Sequence, residues 1–320
     1  MGAVAWVFPG QGSQRVGMGY ELAQREPLAR QVFAEADEVL GFPLSRIIFE
    51  GPEDELAATR NQQPALLATS IAYWTVLRSH GLLPPPICVA GHSLGEYTAL
   101  VAVGSLPFRD AVRLVRRRGE LMEEHGLGGM VAVIGLDEEV LTELAAETGV
   151  EVATINAPDQ VTLSGHTDAL ERAVELARQR GARRVVRLPV NAAFHSSLMR
   201  PVVHALRPLV EAIPLAPPVA PLLADVDARP LTEPVELRRE LLEQIAKPVR
   251  WIAVVTAAAT RGVDHYIEIG PGRVLTGLIK RIQPTARTDT AEGLLAHITR
   301  PAEETLDACW PESQREGRDT

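Results

Sequence analysis

The sequence has few cysteines and no long apolar run. Of its 320 residues only two are cysteine, Cys88 and Cys309, which fall in a predicted buried strand and in a predicted tail. We therefore expect no disulfide, as is typical of the reducing cytoplasm. No apolar stretch approaches the roughly 18 residues that cross a membrane. The first apolar run, residues 3–8, is too short for a secretory signal and lacks a basic flank. These absences predict a cytoplasmic protein that does not associate with membranes.

Excess positive charge and the common metal or nucleotide motifs are also missing. The 41 acidic residues outnumber the 32 basic ones, giving a net charge of −9, which argues against nucleic-acid binding. None of the eight histidines shows the H-x-x-x-H spacing of a zinc site. The first loop reads Gly10-x-Gly12-x-x-Arg15, with arginine where the dinucleotide fingerprint needs its third glycine. We expect no metal and no redox or nucleotide cofactor.

The segment GHSLG, residues 91–95, places one serine between two glycines. A short apolar run precedes it, and residues 96–103, rich in Ala, Leu and Val, follow it. Strand, tight turn and helix in this order are typical of a nucleophile elbow, where close packing excludes side chains at the flanking positions. The helix N-terminus also favours developing negative charge. We predict that Ser93 is a nucleophile; the alternative is a chance match in an ordinary helix cap.

Predicted strands and helices alternate along most of the chain, which indicates a mostly parallel sheet covered on both faces. Residues 128–190 instead follow a βαββαβ order, typical of a ferredoxin-like unit. We therefore predict an α/β fold with an α/β-hydrolase-like catalytic core, residues 1–127 and 191–285, and an inserted ferredoxin-like subdomain, residues 128–190. Periodicity fades after Pro284, so residues 286–320 are predicted to form a mobile tail.

A serine nucleophile needs a base, and His195 is the best placed of the histidines. It follows the last predicted strand of the insert and precedes a helix, so it lies on a loop at a domain junction, where clefts form. A capping or surface histidine remains the alternative on these local grounds. His92 adjoins the serine, and we expect it to pack beneath the turn because neighbouring side chains point apart.

Six short motifs carry a family resemblance. They are FPGQGSQ at 8–14, QPALL at 63–67, GHSLGEYTAL at 91–100, RG at 118–119, AAFH at 192–195 and GPG at 270–272. Their order and spacing resemble the malonyl-CoA:acyl carrier protein transacylases and the acyltransferase domains of polyketide and fatty-acid synthases. The resemblance covers roughly residues 3–285, and six modest motifs in register are together highly specific.

The resemblance implies a role for each matching residue. Ser93 would carry the acyl group as an ester, and His195 would be its base in a Ser-His dyad. The family orients this histidine through backbone carbonyls, and Arg250 would supply one of them.

The resemblance also implies substrate-binding residues. The backbone N–H groups of Gln11 and Leu94 would form the oxyanion hole. Arg118 would bind the malonyl carboxylate, since a planar guanidinium can hold a carboxylate through two hydrogen bonds.

The implied activity is transfer of a malonyl group from malonyl-CoA to the phosphopantetheine thiol of holo acyl carrier protein, for fatty-acid biosynthesis, by a monomer without cofactor. Three alternatives stay open: a trans-acting acyltransferase of a polyketide synthase, an editing acyl-thioester hydrolase, and a silent subunit that only docks carrier proteins. Carrier proteins are generally acidic, so we also expect a local basic patch. Its candidates are Arg116, Arg117, Arg273, Lys280 and Arg281.

Overall fold

The computed structural model describes residues 2–296, in which the chain forms ten strands and fourteen α-helices. The strands are β1 Ala3–Phe8, β2 Cys88–Gly91, β3 Gly129–Ile134, β4 Glu151–Ala157, β5 Gln160–Gly165, β6 Arg184–Arg187, β7 Leu222–Leu223, β8 Pro230–Leu231, β9 Val263–Glu268 and β10 Arg287–Thr290. The helices of the first half are α1 Tyr20–Arg25, α2 Pro27–Leu40, α3 Leu44–Glu50, α4 Glu53–Ala57, α5 Thr59–Ser79, α6 Gly95–Ala102 and α7 Phe108–Glu124. Those of the second half are α8 Glu138–Thr148, α9 Thr167–Gln179, α10 Arg200–Ala212, α11 Pro234–Glu243, α12 Trp251–Thr260, α13 Val274–Ile282 and α14 Ala291–Ala296.

The larger sheet has the strand order β10-β9-β1-β2-β7-β8 and is parallel except for the edge strand β8. Strand β1 lies in the middle, and its side chains alternate between the two faces. Trp6 and Phe8 pack into a core shared with α5, α6 and α7, whereas Ala5 and Val7 pack into a second core shared with α12 and α13. Both faces are therefore buried, which confirms the predicted parallel α/β core.

The smaller sheet is antiparallel, with the order β4-β5-β3-β6, and the helices α8 and α9 pack on it. Its own core includes Val133, Leu144 and Leu163. This order, with two helices on one sheet, is the predicted ferredoxin-like arrangement. Helix α8 begins with a side-chain cap, in which Asp137 Oδ1 accepts a hydrogen bond from the Val140 N–H at 3.0 Å.

The two sheets meet at Val249, in the segment between α11 and α12. The Val249 N–H donates to the carbonyl of Ala153 at 2.9 Å, and its own carbonyl accepts from the Ile155 N–H at 2.8 Å. Val249 thus pairs with the edge strand β4 in a short parallel bridge opposite Thr154. A second contact joins His92, beside the nucleophile, to Asn156 of β4, with Nε2 and Oδ1 2.8 Å apart.

The predicted mobile tail is wrong for its first part. Residues 287–290 form β10, which pairs in parallel with β9, and α14 then packs against α5. The strand was missed because it is a polar edge strand, held by contacts such as His265 Nε2 to Asp289 Oδ2 at 2.8 Å, and edge strands need no apolar run. Residues 297–320 lie outside the described part of the chain. No helix within residues 2–296 is long and apolar enough to cross a membrane.

Candidate active site

Ser93 lies on the sharp turn between β2 and α6, as predicted. Its backbone is left-handed, with a φ of 53°, and its side chain sits at a buried position. The turn is too tight for side chains at its flanks: a Cβ on Gly91 would lie 1.9 Å from the carbonyl carbon of Gly95, and one on Gly95 would lie 2.1 Å from the Phe8 oxygen. The sequence therefore forces the serine out of the turn at the end of the central strands.

His195 is the histidine that the fold brings to Ser93. Its Nε2 lies 2.9 Å from Ser93 Oγ, although the two residues are 102 positions apart. The His195 loop is tied to the insert, because Ser164 Oγ donates to the Phe194 carbonyl at 2.6 Å. The Ala193 N–H also donates to the Leu127 carbonyl, at 2.9 Å. The His195 backbone is itself left-handed, with a φ of 59°.

Two backbone carbonyls orient the imidazole. His195 Nδ1 lies 2.7 Å from the Gln244 oxygen and 3.2 Å from the Lys247 oxygen. A carbonyl only accepts, so Nδ1 carries the ring proton and Nε2 is left to accept from Ser93. The expected contribution of Arg250 is wrong, because its carbonyl accepts from the Val254 N–H at 3.0 Å in the first turn of α12.

The imidazole of His195 is held neutral. Burial, followed by the nearby Arg118 guanidinium and His92, lowers the pKa of His195 to about 3. The backbone carbonyls oppose this shift only in part. A neutral imidazole with a free Nε2 can take a proton from a serine hydroxyl, which is the function of a general base.

Arg118 is a fully buried cation beside the nucleophile. Its Nη2 lies 3.1 Å from Ser93 Oγ and 3.2 Å from the side-chain oxygen of Gln244, and its Nη1 donates to Gln63 Oε1 at 2.8 Å. Burial lowers the pKa of Arg118, yet guanidinium groups remain protonated in proteins. All three hydrogen-bond acceptors are neutral, so the positive charge is available to an anionic ligand.

Helices α5 and α7 bring Gln63 to Arg118. A Cβ on Gly119 would lie 2.6 Å from the Thr59 oxygen, so only glycine lets the two helices approach this closely. Helix α5 contains Pro64 in its second turn. Proline has no N–H for the carbonyl of Arg60 four residues before it, and Arg116 Nη1 donates to that carbonyl instead, at 3.3 Å.

The proposed oxyanion donors lie beside the same turn. Strands β1 and β2 pair through Phe8 and Gly91, so the loop after β1 and the turn after β2 are neighbours. The backbone N–H groups of Gln11 and Leu94 donate no hydrogen bond to any residue of the described range 2–296. The Gln11 side chain is fixed by its hydrogen bond to Gln62 Oε1.

Sequence reasoning missed several residues that hold the site. Gln244 supplies a carbonyl to His195, and its side chain contacts both Arg118 and Ser93, the latter through a hydrogen bond from Nε2 to the backbone oxygen at 3.1 Å. No local pattern marks Gln244, which simply follows α11. Asp225 accepts a hydrogen bond from the Ser93 N–H. No local pattern marks it either, because it follows β7, a strand of only two residues. Gln63 belongs to the QPALL motif at 63–67, so the family resemblance could have pointed to it.

The predicted basic patch is mostly engaged within the protein. Arg116 and Arg117 pair with Glu120, and Arg117 also with Glu124. Arg281 pairs with Asp159 of the insert, and Lys280 Nζ donates to the Ala286 carbonyl. Of the five candidates, Arg273 alone has an exposed side chain without a hydrogen bond or ion pair to the described residues.

Comparison with known proteins agrees with this geometry. The profile of the family described as acyl transferase domain matches residues 5–298. The malonyl CoA-acyl carrier protein transacylase of Bacillus subtilis is 44% identical over 296 residues, which cover 90% of this chain and 93% of the relative. The crystal structure of an acyl carrier protein S-malonyltransferase from Vibrio cholerae superposes with a TM-score of 0.88 at 41% identity, covering 92% of this chain and 99% of that one.

A further solved structure shows a type II PKS acyl-carrier protein in complex with its malonyl-transacylase. The match has a TM-score of 0.89 at 41% identity and covers 92% of this chain and 98% of that one. Both the family profile and these relatives span most of the sequence. The chain therefore belongs to the acyl transferase domain family.

Proposed function

We propose that this chain transfers a malonyl group from malonyl-CoA to the phosphopantetheine thiol of holo acyl carrier protein, through an ester on Ser93. One observation carries the proposal. A serine hydroxyl, the free nitrogen of a neutral imidazole and a fully buried guanidinium converge on one point, with His195 Nε2 at 2.9 Å and Arg118 Nη2 at 3.1 Å from Ser93 Oγ. The relatives named as malonyl transferases support the same assignment.

In the first half-reaction His195 Nε2 accepts the Ser93 proton as Oγ attacks the thioester carbonyl. The N–H groups of Gln11 and Leu94 hold the oxyanion, in the role that preorganised backbone donors play in acyl transfer. The C–S bond then breaks, and the proton on His195 passes to the coenzyme A sulfur. The product is a malonyl ester on Ser93 and free coenzyme A.

The second half-reaction reverses these steps with a different thiol. The phosphopantetheine thiol of the carrier gives its proton to His195 and attacks the malonyl ester, and Ser93 recovers its proton when the C–O bond breaks. The reaction exchanges one thioester for another, so it calls for no metal or redox cofactor. We propose the cytoplasm as the compartment, consistent with the buried free thiol of Cys88.

Arg118 favours a dicarboxylic acyl group. The hydrogen-bond acceptors of its guanidinium, Gln63, Gln244 and Ser93, are all neutral, so a malonyl carboxylate could form a direct ion pair with Arg118. An acetyl group has no such charge. An editing hydrolase of simple acyl chains would gain nothing from a buried cation at this point, so we favour transfer over hydrolysis.

The carrier would approach along the edge that holds Arg273. The Arg273 side chain is exposed, and the residue lies between the GPG segment at 270–272 and α13. Val274 beside it is 47% exposed, so charge and an apolar contact adjoin each other. We propose that this edge meets the acidic carrier, and that a monomer suffices for the reaction.

The mass of the intact protein after mixing with malonyl-CoA tests the proposal. We expect a malonyl adduct that persists in buffer and clears only when holo carrier protein is added, with malonyl-carrier appearing in equal amount. Ser93→Ala is the control and should show no adduct. Loss of the adduct in buffer alone would identify a hydrolase, and absence of any adduct on the wild-type protein would identify a silent subunit.

A further inference from the structure

A carboxyl group directly beneath the nucleophile has no part in the proton transfers described above. Asp225 follows β7, the strand that pairs with β2, and therefore lies next to the turn that carries Ser93. Its Oδ2 accepts a hydrogen bond from the Ser93 backbone N–H at 2.7 Å. Asp225 is fully buried, so this contact is not shared with solvent.

The contact acts where the backbone needs support. Ser93 has a φ of 53°, a left-handed conformation that is unfavourable for a residue with a side chain. The left-handed conformation of Ser93 persists only where surrounding groups fix it. Leu94 follows Ser93 directly in the chain, so the backbone conformation of Ser93 sets the direction of the Leu94 N–H that we assign to the oxyanion hole.

Asp225 is itself held firmly. Its backbone N–H donates to Glu96 Oε1 at 2.8 Å, and Glu96 lies in the first turn of α6, three residues after the nucleophile. Its backbone carbonyl accepts from the Arg250 N–H at 2.9 Å, in the segment that also orients His195. Asp225 thus connects the nucleophile turn, the helix behind it and the segment beside the base.

The charge of the group does not explain its presence. Asp225 Oδ1 and Glu96 Oε2 are buried and accept no hydrogen bond from any described residue. Burial raises the pKa of Asp225 and that of Glu96, and the facing carboxyl of Glu240 on α11 raises both further. Arg118 on α7 is the cation that opposes these shifts. Burial and the neighbouring carboxyl groups thus disfavour a charge on Asp225, and the property that the geometry assigns to it is an accepting oxygen at the Ser93 N–H.

We infer that Asp225 is a positioning residue for acyl transfer, which acts by holding the Ser93 amide and so aiming Oγ and the oxyanion donor of Leu94. The inference rests on the function proposed above. It predicts that the hydrogen-bond acceptor matters and the negative charge does not. Asparagine keeps an oxygen at the same place, whereas alanine removes it and serine is too short to reach the amide.

The test measures the acylation rate constant at saturating malonyl-CoA by rapid quench and intact mass. Asp225→Ala and Asp225→Ser should each lower it by about 10- to 100-fold, because small misplacements of reacting groups cost this much. Asp225→Asn should stay within about threefold of wild type. The half-saturating concentration of malonyl-CoA should change by less than about twofold in all three variants, since Arg118 makes no hydrogen bond to Asp225.

The matched control is Asp227→Ala, two residues further on, where the carboxylate is exposed and pairs with Arg229; it should leave the rate constant unchanged. If Asp225→Ala does not fold, Asp225→Ser and Asp225→Asn give the same comparison. An Asp225→Asn variant as slow as Asp225→Ser, or an Asp225→Ser variant as fast as wild type, would overturn the positioning role. Failure of the wild-type protein to acquire malonyl would instead refute the proposed function.

Discussion

The nucleophile and the base share one unusual backbone conformation but are held by different means. Ser93 and His195 both have left-handed φ angles, 53° and 59°. The Ser93 turn is shaped by its flanking glycines, which pack closely against the turn itself and against β1, and by the core residue Asp225. The His195 loop depends on distant groups, Leu127, Ser164 and the carbonyls after α11. The nucleophile is thus placed by the core, whereas the base is placed jointly by the core and the insert.

The largest effect should come from the nucleophile itself. Ser93→Ala removes the only atom that can carry the ester, so transfer should fall by about 10³-fold or more and no malonyl adduct should form. Intact mass and a carrier-loading assay measure the two quantities. Ser197→Ala, an exposed serine bonded to Glu151, is the control and should keep its activity. Near-normal acylation of Ser93→Ala would exclude this residue as the nucleophile.

Removal of the base should have the next largest effect. His195→Ala should slow acylation by about 10²- to 10⁴-fold, because the Ser93 proton then has no acceptor. The exposed His204 offers a matched substitution, His204→Ala, which should change nothing. Thermal unfolding of both variants shows whether the fold is intact. If His195→Ala retains the wild-type rate, another group serves as base.

The pH dependence of acylation tests whether His195 is a neutral base. Burial and Arg118 lower the pKa of His195 to about 3, so the imidazole is neutral and competent throughout the neutral range. The value of kcat/KM for malonyl-CoA should therefore stay level down to about pH 5 and fall only toward pH 3. The unfolded chain takes up this proton near pH 6.5, so the His195 contribution to the free energy of unfolding decreases as the pH falls below that value. A limb in kcat/KM near pH 6.5 would contradict the buried, neutral imidazole.

Substrate choice should depend on Arg118, whose guanidinium contacts both Ser93 and Gln244. Arg118→Ala should lower malonyl acylation by roughly 10²- to 10³-fold, because the substrate carboxylate is left buried without a partner. The ratio of malonyl to acetyl loading should fall accordingly, as measured with both thioesters. Arg117→Ala removes an adjacent, surface arginine paired with Glu124 and should leave the ratio within about twofold. A wild-type enzyme that loads acetyl and malonyl groups equally fast would refute the role of Arg118.

The smallest effect should come from Ser164, which supports the loop of His195 but not the turn of Ser93. Ser164→Ala deletes the hydrogen bond from the insert to the Phe194 carbonyl, and it should cost about 1–3 kcal/mol of unfolding free energy. Acylation should slow by about tenfold, because the base loses its anchor while the nucleophile does not. Labelling of Ser93 by a reagent that needs no general base should be unchanged. A variant that slows both processes equally would show that the two sides are not supported separately.

The same contrast explains what the sequence could predict. The Ser93 turn follows from five consecutive residues, and the beginning of α8 follows from its own cap, Asp137. The residues that support His195 lie 31 to 68 positions away, and no local sequence pattern marks them. They are Leu127, Ser164, Gln244 and Lys247. The Arg250 carbonyl was misassigned because the beginning of α12 uses it, and β10 was missed because a polar edge strand has no apolar signature.

The bridge between Val249 and β4 has a consequence for the design of hybrid enzymes. Val249 pairs with the edge of the insert's sheet, while the carbonyls of Gln244 and Lys247, a few residues before it, orient the catalytic imidazole. An exchange of residues 128–190 alone would place a foreign strand edge beside a native bend and shift both carbonyls. The exchangeable piece is therefore discontinuous: the insert must be transplanted together with residues 244–250, although more than fifty residues separate them in the chain.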